Sequence, residues 1–329
     1  MTTFTFSGMD WVVHRMVHVA SSLFRMPDAR LSVAITSCLA GGVYIAAAMG
    51  FAGTVARTAQ GRAFSLCIFL SPATMLLFCG YVERYSLMTA ALMCSARYLA
   101  LWNGHSRRSL VLAAMAWLAA CFFHPIAVFA LPASLFAGLC QWGHARTGLM
   151  AAAIAILLVG LLVATGRWTG HSHAGLLLPL LPAHGVYSLL VPAHLLDMLN
   201  ELLLIAPLQA ALLVLALWQR HGFYCDRDPV VTTLTIALLC ALGVSMLLNP
   251  RLGSMDWDLL SIYAVPLCAL LARVGSQCVE RTVHGNRIIL VVGVGAFFHL
   301  FPWIWVNASR EQAGGDGGQH GEKERALHR

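Results

Sequence analysis

Charged side chains are scarce in this 329-residue chain: Asp, Glu, Lys and Arg together make up 11% of its residues, against about 25% in soluble domains. Hydrophobic residues make up 59%, and the mean hydropathy is +0.75. This composition excludes an ordinary soluble domain. It predicts an all-α, polytopic integral membrane protein, because helices satisfy their own backbone hydrogen bonds inside lipid.

Lysine is almost absent, since Lys323 is the only one among 21 basic residues. The net charge of +7 is therefore carried by arginine, and in a membrane protein arginine marks loop topology. No soluble basic domain is present that could bind nucleic acid, so we expect no nucleic-acid partner.

Paired cysteines are also missing: ten cysteines occur, mostly inside apolar runs, and none forms a Cys-x-x-Cys motif. This argues against a thiolate metal site or a disulfide framework. Four histidines lie between Arg167 and Met198, without Cys or Glu nearby in ligand spacing. We predict no metal site, and the sequence leaves open whether a divalent metal takes part in any reaction.

Apolar runs organise the chain into three parts. Residues 1–30 contain no secretory signal and fit an amphipathic helix lying in the membrane interface. Residues 31–306 form the transmembrane domain, and the glycine-rich, charged residues 307–329 form a disordered tail. The apolar runs of this domain predict about nine or ten transmembrane helices. They are 31–53, 64–80, 85–102, 109–123, 126–141, 148–166, 196–218, 230–248, 259–272 and 288–306.

The loops between these runs alternate in arginine content. One set holds ten arginines and the other holds only Arg84, Arg167 and Arg251. By the positive-inside rule the first set is cytoplasmic and the second extracytoplasmic, in the inner membrane of a cell. Arg25 and Arg30, before the first run, conflict with this assignment.

The outer loops carry the candidate site. Glu83 and Arg84 stand side by side with Tyr85 where two runs meet, and charges at a membrane boundary are costly unless they are used. His124 lies at the tip of the next hairpin. A snorkelling turn and an interfacial anchor are the structural alternatives for these two places.

Two further stretches lie on the same side. His194, Asp197, Asn200 and Glu201 are predicted to share one face of the seventh run, as a polar pocket wall or as a face towards the headgroups. Arg251, Asp256 and Asp258 precede the ninth run. Asp258 is placed to cap a helix starting near Leu259, which leaves Asp256 as the working carboxylate.

Several motifs together resemble the GT-C superfamily of polytopic glycosyltransferases, which includes bacterial relatives of protein mannosyltransferases and the aminoarabinose transferases. They are Ser-Cys-Leu-Ala-Gly-Gly (37–42), Phe-Leu-Ser-Pro (69–72), Gly-Tyr-x-Glu-x-Tyr (80–85), His-Leu-Leu-Asp-x-Leu-Asn (194–200) and Asp-Trp-Asp-Leu (256–259). The resemblance implies a GT-C-like fold. It also implies transfer of a sugar from a polyprenyl-phosphate donor to an acceptor hydroxyl on the extracytoplasmic side.

By this resemblance Glu83 or Asp256 is the catalytic base, and Arg84 and Arg251 bind the lipid phosphate. The remaining substrate-binding candidates are Tyr85, His124, Asp197 and Asp258. Membrane lipids and the lipid-linked sugar are the expected partners, and the sequence does not indicate an oligomeric state.

One departure from the family pattern concerns the N-terminus. The family carries a leading acidic residue after a first transmembrane helix, whereas here an interfacial segment comes first, with Asp10 as its only acidic residue before Arg25. We expect a chain shortened by that first helix. A membrane scaffold and a small-molecule transporter remain the alternatives to an enzyme.

Overall fold

A computed structural model of the chain describes residues 29–79, 85–144, 188–218, 228–248 and 261–305, together with the isolated residues 15, 147, 150, 153 and 178. The predicted interfacial segment and the tail 307–329 lie outside the described residues, apart from Arg15 and residues 29–30. The run 148–166 also lies outside them, apart from residues 150 and 153.

All regular elements in the described ranges are helical. The α-helices are α1 (Ala29–Val55), α2 (Ala59–Leu70), α3 (Tyr85–Trp102), α4 (Arg107–Phe123), α5 (Leu131–Gln141), α6 (Pro192–Ile205), α7 (Pro207–Trp218), α8 (Pro229–Leu247), α9 (Ala264–Arg281) and α10 (Gly285–Trp305). Short 3₁₀ helices follow α2 (Ala73–Phe78), follow α4 (Pro125–Ala130) and precede α9 (Ser261–Tyr263).

Length and hydropathy identify the membrane spans. In the described part, Val33–Val55, Pro229–Leu247, Ser261–Arg281 and Gly285–Trp305 are each long and apolar enough to cross a bilayer, and α6 with α7 would add a fifth as one broken span. The predicted helical membrane bundle is thus confirmed. The predicted nine or ten crossings also counted shorter helices such as α2, which at 12 residues is only about 18 Å long.

The predicted single run 196–218 is wrong in its shape. It consists of α6 and α7, which meet at an angle of 105° around Ala206. Pro207 stands at the first position of α7, and it has no N–H to donate to the carbonyl of Leu203, so a continuous helix loses a bond there.

Charged residues join the helix ends on one side of the bundle. The backbone N–H groups of Arg57 and Thr58 donate to Glu280 at 2.6 and 2.7 Å. Arg273 donates to Asp228 at 2.8 Å and to the side-chain oxygen of Asn103 at 3.1 Å. We call this side, defined by Arg57, Asn103, Asp228, Arg273 and Glu280, the arginine-rich end. Arg273 was predicted in a loop but lies inside α9, which runs nine residues further than expected.

The core lies around α9. In the span Ser261–Arg281, 78% of an apolar stretch of 18 residues is buried, whereas the corresponding share in Gly285–Trp305 is 6%. Gly275 allows the approach of α2, since a Cβ at this position would lie 2.5 Å from the Phe64 ring. The helix α9 is therefore the buried centre on which neighbouring helices such as α2 pack.

Candidate functional site

Tyr85 and His124 meet at the end of the bundle opposite the arginine-rich end. Their ring centroids lie 4.8 Å apart and the planes are inclined at 46°. Tyr85 begins α3 and His124 follows the last residue of α4, so two antiparallel helices bring the rings together. Two residues predicted on separate outer loops are therefore in contact.

Local chemistry fixes the His124 ring. Its Nδ1 accepts from the Ile126 N–H at 3.2 Å, and Pro125 removes the intervening N–H donor. With Nδ1 as acceptor, the neutral ring carries its proton on Nε2. A histidine held in this tautomer presents a hydrogen-bond donor on the side away from the backbone.

The other principal candidates, Glu83, Arg84, Arg251, Asp256 and Asp258, lie outside the described residues. Their flanking residues are described. Cys79 and Tyr85 stand on either side of Glu83 and Arg84, while Leu248 and Ser261 stand on either side of the other three. The helix α9 begins at Ala264 after a 3₁₀ turn, and Leu259 is outside the described part, so the predicted capping role of Asp258 stays a prediction.

The helix α6 lies across this same end. The His194 ring bonds the carbonyl of Met246 at 2.9 Å, near the end of α8, and the Tyr263 hydroxyl donates over 3.4 Å to the backbone carbonyl of Glu201. We call this side, defined by Ser71, Tyr85, His124, Glu201 and Tyr263, the arginine-poor end.

The face of α6 differs from the prediction. His194 and Glu201 are buried, with 1% and 3% of their surfaces exposed, whereas Asp197 and Asn200 are exposed. His194 and Glu201 are seven positions apart, which is nearly two full turns, so they lie on the same side of the helix. Asn200 is rotated by about 100° around the helix axis from Glu201. The prediction that all four share one face is therefore wrong for Asn200 and Asp197.

Leucines make up most of the outer surface of α6, beside the exposed Asp197 and Asn200. Its exposed side chains include Leu195, Leu196, Leu199 and Leu203. A helix with leucines outside and a carboxyl group inside has the polarity expected of a segment in contact with lipid. The buried Glu201 therefore belongs to a polar interior at the arginine-poor end.

A second polar group, which the sequence analysis missed, lies beside α6. Pro72 has no N–H for the Ile68 carbonyl at the end of α2. Gln209 Nε2, Ser71 Oγ and Cys268 Sγ approach that carbonyl instead, at 2.9, 3.3 and 3.3 Å. We call Ser71, Gln209, Cys268 and His299 the Ser71 cluster.

His299 joins this cluster to two helix ends. Nδ1 lies 3.1 Å from the Ser71 carbonyl oxygen, and Nε2 lies 2.8 Å from the Leu204 carbonyl oxygen. Both carbonyls are at C-terminal ends of helices, which attract a hydrogen-bond donor or a positive charge. His299 and Gln209 are isolated polar residues within apolar runs, and that isolation was the available signal.

Among the described residues there is no group of three or more His, Cys, Asp or Glu side chains that could hold a metal ion. The arrangement provides instead a neutral imidazole, a phenol and a buried carboxyl group. These groups can bind hydroxyl-rich ligands through hydrogen bonds.

No protein-family model matches this chain, and no curated protein matches it. Among solved structures the chain is similar to ArnT from Cupriavidus metallidurans in the apo state, with 16% identity and a TM-score of 0.44. The alignment covers 86% of this chain and 51% of that one, so this chain spans about half of its length.

Proposed function

We propose that this chain is a membrane glycosyltransferase that moves a sugar from a polyprenyl-phosphate donor to an acceptor hydroxyl at the arginine-poor end. The proposal starts from the GT-C-like motifs of the sequence. The observation that carries it is the contact of Tyr85 with His124 at 4.8 Å, because Tyr85 closes the Gly-Tyr-x-Glu-x-Tyr motif and His124 comes from another hairpin.

Polarity at this end supports the proposal. The described part places His124, His194 and Glu201 at one end of the bundle, and α6 covers that end with a leucine surface. A polyprenyl-phosphate donor has the matching shape, since its chain is apolar and its phosphate-linked sugar is polar. Such a ligand would place its chain along the lipid surface and its sugar towards the polar interior.

The proposed reaction is a displacement at the anomeric carbon of the sugar. Glu83 or Asp256 takes the proton of the acceptor hydroxyl, the acceptor oxygen forms the new bond to the anomeric carbon, and the bond to the phosphate oxygen breaks. The electron pair leaves with the polyprenyl phosphate, which Arg84 and Arg251 stabilise. Tyr85, His124 and Asp258 contact the sugar or the acceptor.

Arginine distribution gives the proposed orientation. The arginine-rich end would face the cytoplasm and the arginine-poor end would face outward from the inner membrane. The donor would then be used on the extracytoplasmic side.

The test is sugar transfer by the purified chain in lipid vesicles that contain polyprenyl-phosphate sugars, with a panel of hydroxyl acceptors. We expect Glu83→Gln or Asp256→Asn to lower the transfer rate by about 10²–10⁴-fold, because general-base catalysis contributes that much. Arg62→Ala, at the start of α2 near the arginine-rich end, is the control and should transfer normally. Unchanged rates in both carboxylate variants would contradict the proposed chemistry.

A transporter is the second candidate, and the Ser71 cluster is the observation that favours it. Helices broken inside the membrane, with polar groups at the breaks, are a feature of secondary transporters. The same vesicles distinguish the two functions: solute uptake without sugar transfer would assign the chain to transport.

A further inference from the structure

Arg97 is a partly buried residue that belongs to neither the arginine-rich end nor the arginine-poor end as defined above. It belongs to α3 and stands five residues before its end at Trp102, which is about 7.5 Å along the helix axis. A guanidinium at such a depth in an apolar helix is costly unless it is paired.

In the described part of the chain, Arg97 is left without a hydrogen-bond or salt-bridge partner. Its Nε is buried and has no hydrogen-bond partner. The side-chain salt bridge of this region joins Arg273 to Asp228. The guanidinium carbon lies 5.8 Å from the centroid of the neighbouring Tyr98 ring. A buried donor without an acceptor is rare in proteins, and a cation inside a membrane calls for an anion.

The neighbouring helix is shaped around this side chain. A Cβ on Gly50 of α1 would overlap Arg97 Nε and would lie 2.6 Å from its guanidinium carbon. Gly50 is therefore needed for the guanidinium to lie flat against α1. One turn further along, Gly53 is exposed, and a Cβ there would meet nothing within 4 Å.

Two glycines leave the surface of α1 without side chains, one beside Arg97 and one a turn nearer the arginine-rich end. Gly50 and Gly53 lie on one face of α1, and Arg57 follows Gly53 by four residues. Exposed apolar side chains flank these positions along the two helices: Met49, just before Gly50, is 58% exposed, and Leu101, one turn after Arg97, is 42% exposed. This combination suits a ligand that has an anionic head and apolar tails.

We propose that Arg97 binds the phosphate of an anionic phospholipid, which enters between α1 and α3 from the leaflet at the arginine-rich end. Guanidinium groups bind phosphate through paired N–H donors, and basic pockets between membrane helices bind lipid headgroups. The apolar side chains Met49 and Leu101 contact the acyl chains. This lipid is distinct from the polyprenyl donor, which the proposed function places at the opposite end.

The experiment is native mass spectrometry of the full chain in neutral detergent, titrated with phosphatidylglycerol or with phosphatidylcholine. We expect phosphatidylglycerol to bind wild type at least about tenfold more tightly than it binds Arg97→Ala, and Arg97→Lys to lie in between. Gly50→Ala displaces the guanidinium and should resemble Arg97→Ala. Arg62→Ala keeps the site and should bind like wild type.

Inorganic phosphate tests the source of the anion. The lipid proposal predicts that 10-fold excess inorganic phosphate leaves the phosphatidylglycerol adducts unchanged, because the acyl chains add to binding. Full displacement by inorganic phosphate would overturn the lipid as occupant. Equal binding of both lipids, or equal binding by wild type and Arg97→Ala, would overturn the site itself.

Thermal unfolding gives a second measurement if Arg97→Ala fails to fold. Phosphatidylglycerol should raise the Tm of wild type, because a ligand that binds the native state stabilises it. Arg97→Gln keeps a polar side chain of similar length and should show no such rise. A rise of the same size in Arg97→Gln would contradict the proposal.

Discussion

At the scale of single residues, prolines and the side chains around them determine the polar sites. Pro125 lies between His124 and Ile126, and His124 Nδ1 accepts a hydrogen bond from the N–H of Ile126. Pro72 has no N–H to donate to the Ile68 carbonyl, and the side chains of Gln209, Ser71 and Cys268 donate to it instead. In both places a residue without an N–H determines which side chains become polar contacts inside the membrane.

His124 combines a structural and a proposed functional role, which two substitutions separate. His124→Ala removes the acceptor for Ile126 N–H and should lower the free energy of unfolding by about 1 kcal/mol. His124→Asn can keep that acceptor but loses the ring contact with Tyr85. We expect it to unfold like wild type yet to transfer sugar at least about tenfold more slowly. Unfolding in detergent and the transfer rate are the two measurements. Wild-type transfer by His124→Asn would remove the Tyr85–His124 contact from the site.

Asp228 is the corresponding residue at the arginine-rich end. Its Oδ1 accepts from the N–H groups of Val230 and Val231, and its Oδ2 accepts from Arg273. Both partners of the ion pair are largely buried, with 14% and 15% of their side chains exposed. Asp228→Ala should therefore lower the free energy of unfolding by about 2–4 kcal/mol, because α8 loses its cap and Arg273 loses its carboxylate partner.

Asp228→Asn is its matched control. The amide oxygen can still cap α8, so we expect the free energy of unfolding to fall by about half as much as in Asp228→Ala. Equilibrium unfolding in mixed detergents measures both values. Equal losses for Ala and Asn would mean that the cap contributes nothing. Transfer activity of the folded Asn variant should stay normal, because Asp228 is at the end opposite the proposed site.

At the scale of helices, α10 depends on few polar contacts. Its exposed residues include Phe297, Phe298, Phe301 and Trp305. His299 connects the helix to the ends of α2 and α6 through the carbonyls of Ser71 and Leu204. Near the start of α10, Asn286 accepts a hydrogen bond from Gln60 of α2 at 2.9 Å, and residues such as Val292 pack against the core.

His299→Phe should therefore loosen α10. A neutral ring donates through one nitrogen, so loss of that hydrogen bond is expected to lower the free energy of unfolding by about 1 kcal/mol, and amide hydrogen exchange in α10 should become faster than in α9. His284→Phe, at an exposed position just before α10, is the control and should leave exchange unchanged. Exchange in His299→Phe that matches wild type would show that His299 does not hold the helix in place.

The sequence predicts these helices better than their breaks. Apolar runs locate α3, α4 and α8 to within about two residues, because such runs have no other stable form in lipid. The bend at Pro207 was missed, although proline is a local signal that the sequence contains. The pairing of Ile68 with Gln209 and Cys268 joins residues 141 and 200 positions apart, and no local pattern specifies such a contact.

At the scale of the whole molecule, two ends of different chemistry account for the arrangement. The arginine-rich end is held by the contacts of Glu280 and Asp228. The arginine-poor end gathers Tyr85, His124 and Glu201. The alternation of loops was predicted from arginine counts alone. The structure joins Arg57 to Glu280 and Arg273 to Asn103 at one end of the bundle. Which end faces the cytoplasm stays a prediction.

The most direct measurement of the central claim is photo-crosslinking with a polyprenyl-phosphate sugar that carries a photoreactive group beside the phosphate. Peptides from the labelled protein, identified by mass spectrometry, locate the phosphate. We predict labels within 72–90 and 248–264, at the arginine-poor end, and their loss in Arg84→Ala. Labels confined to 55–62 and 102–108, at the arginine-rich end, would contradict the proposed site.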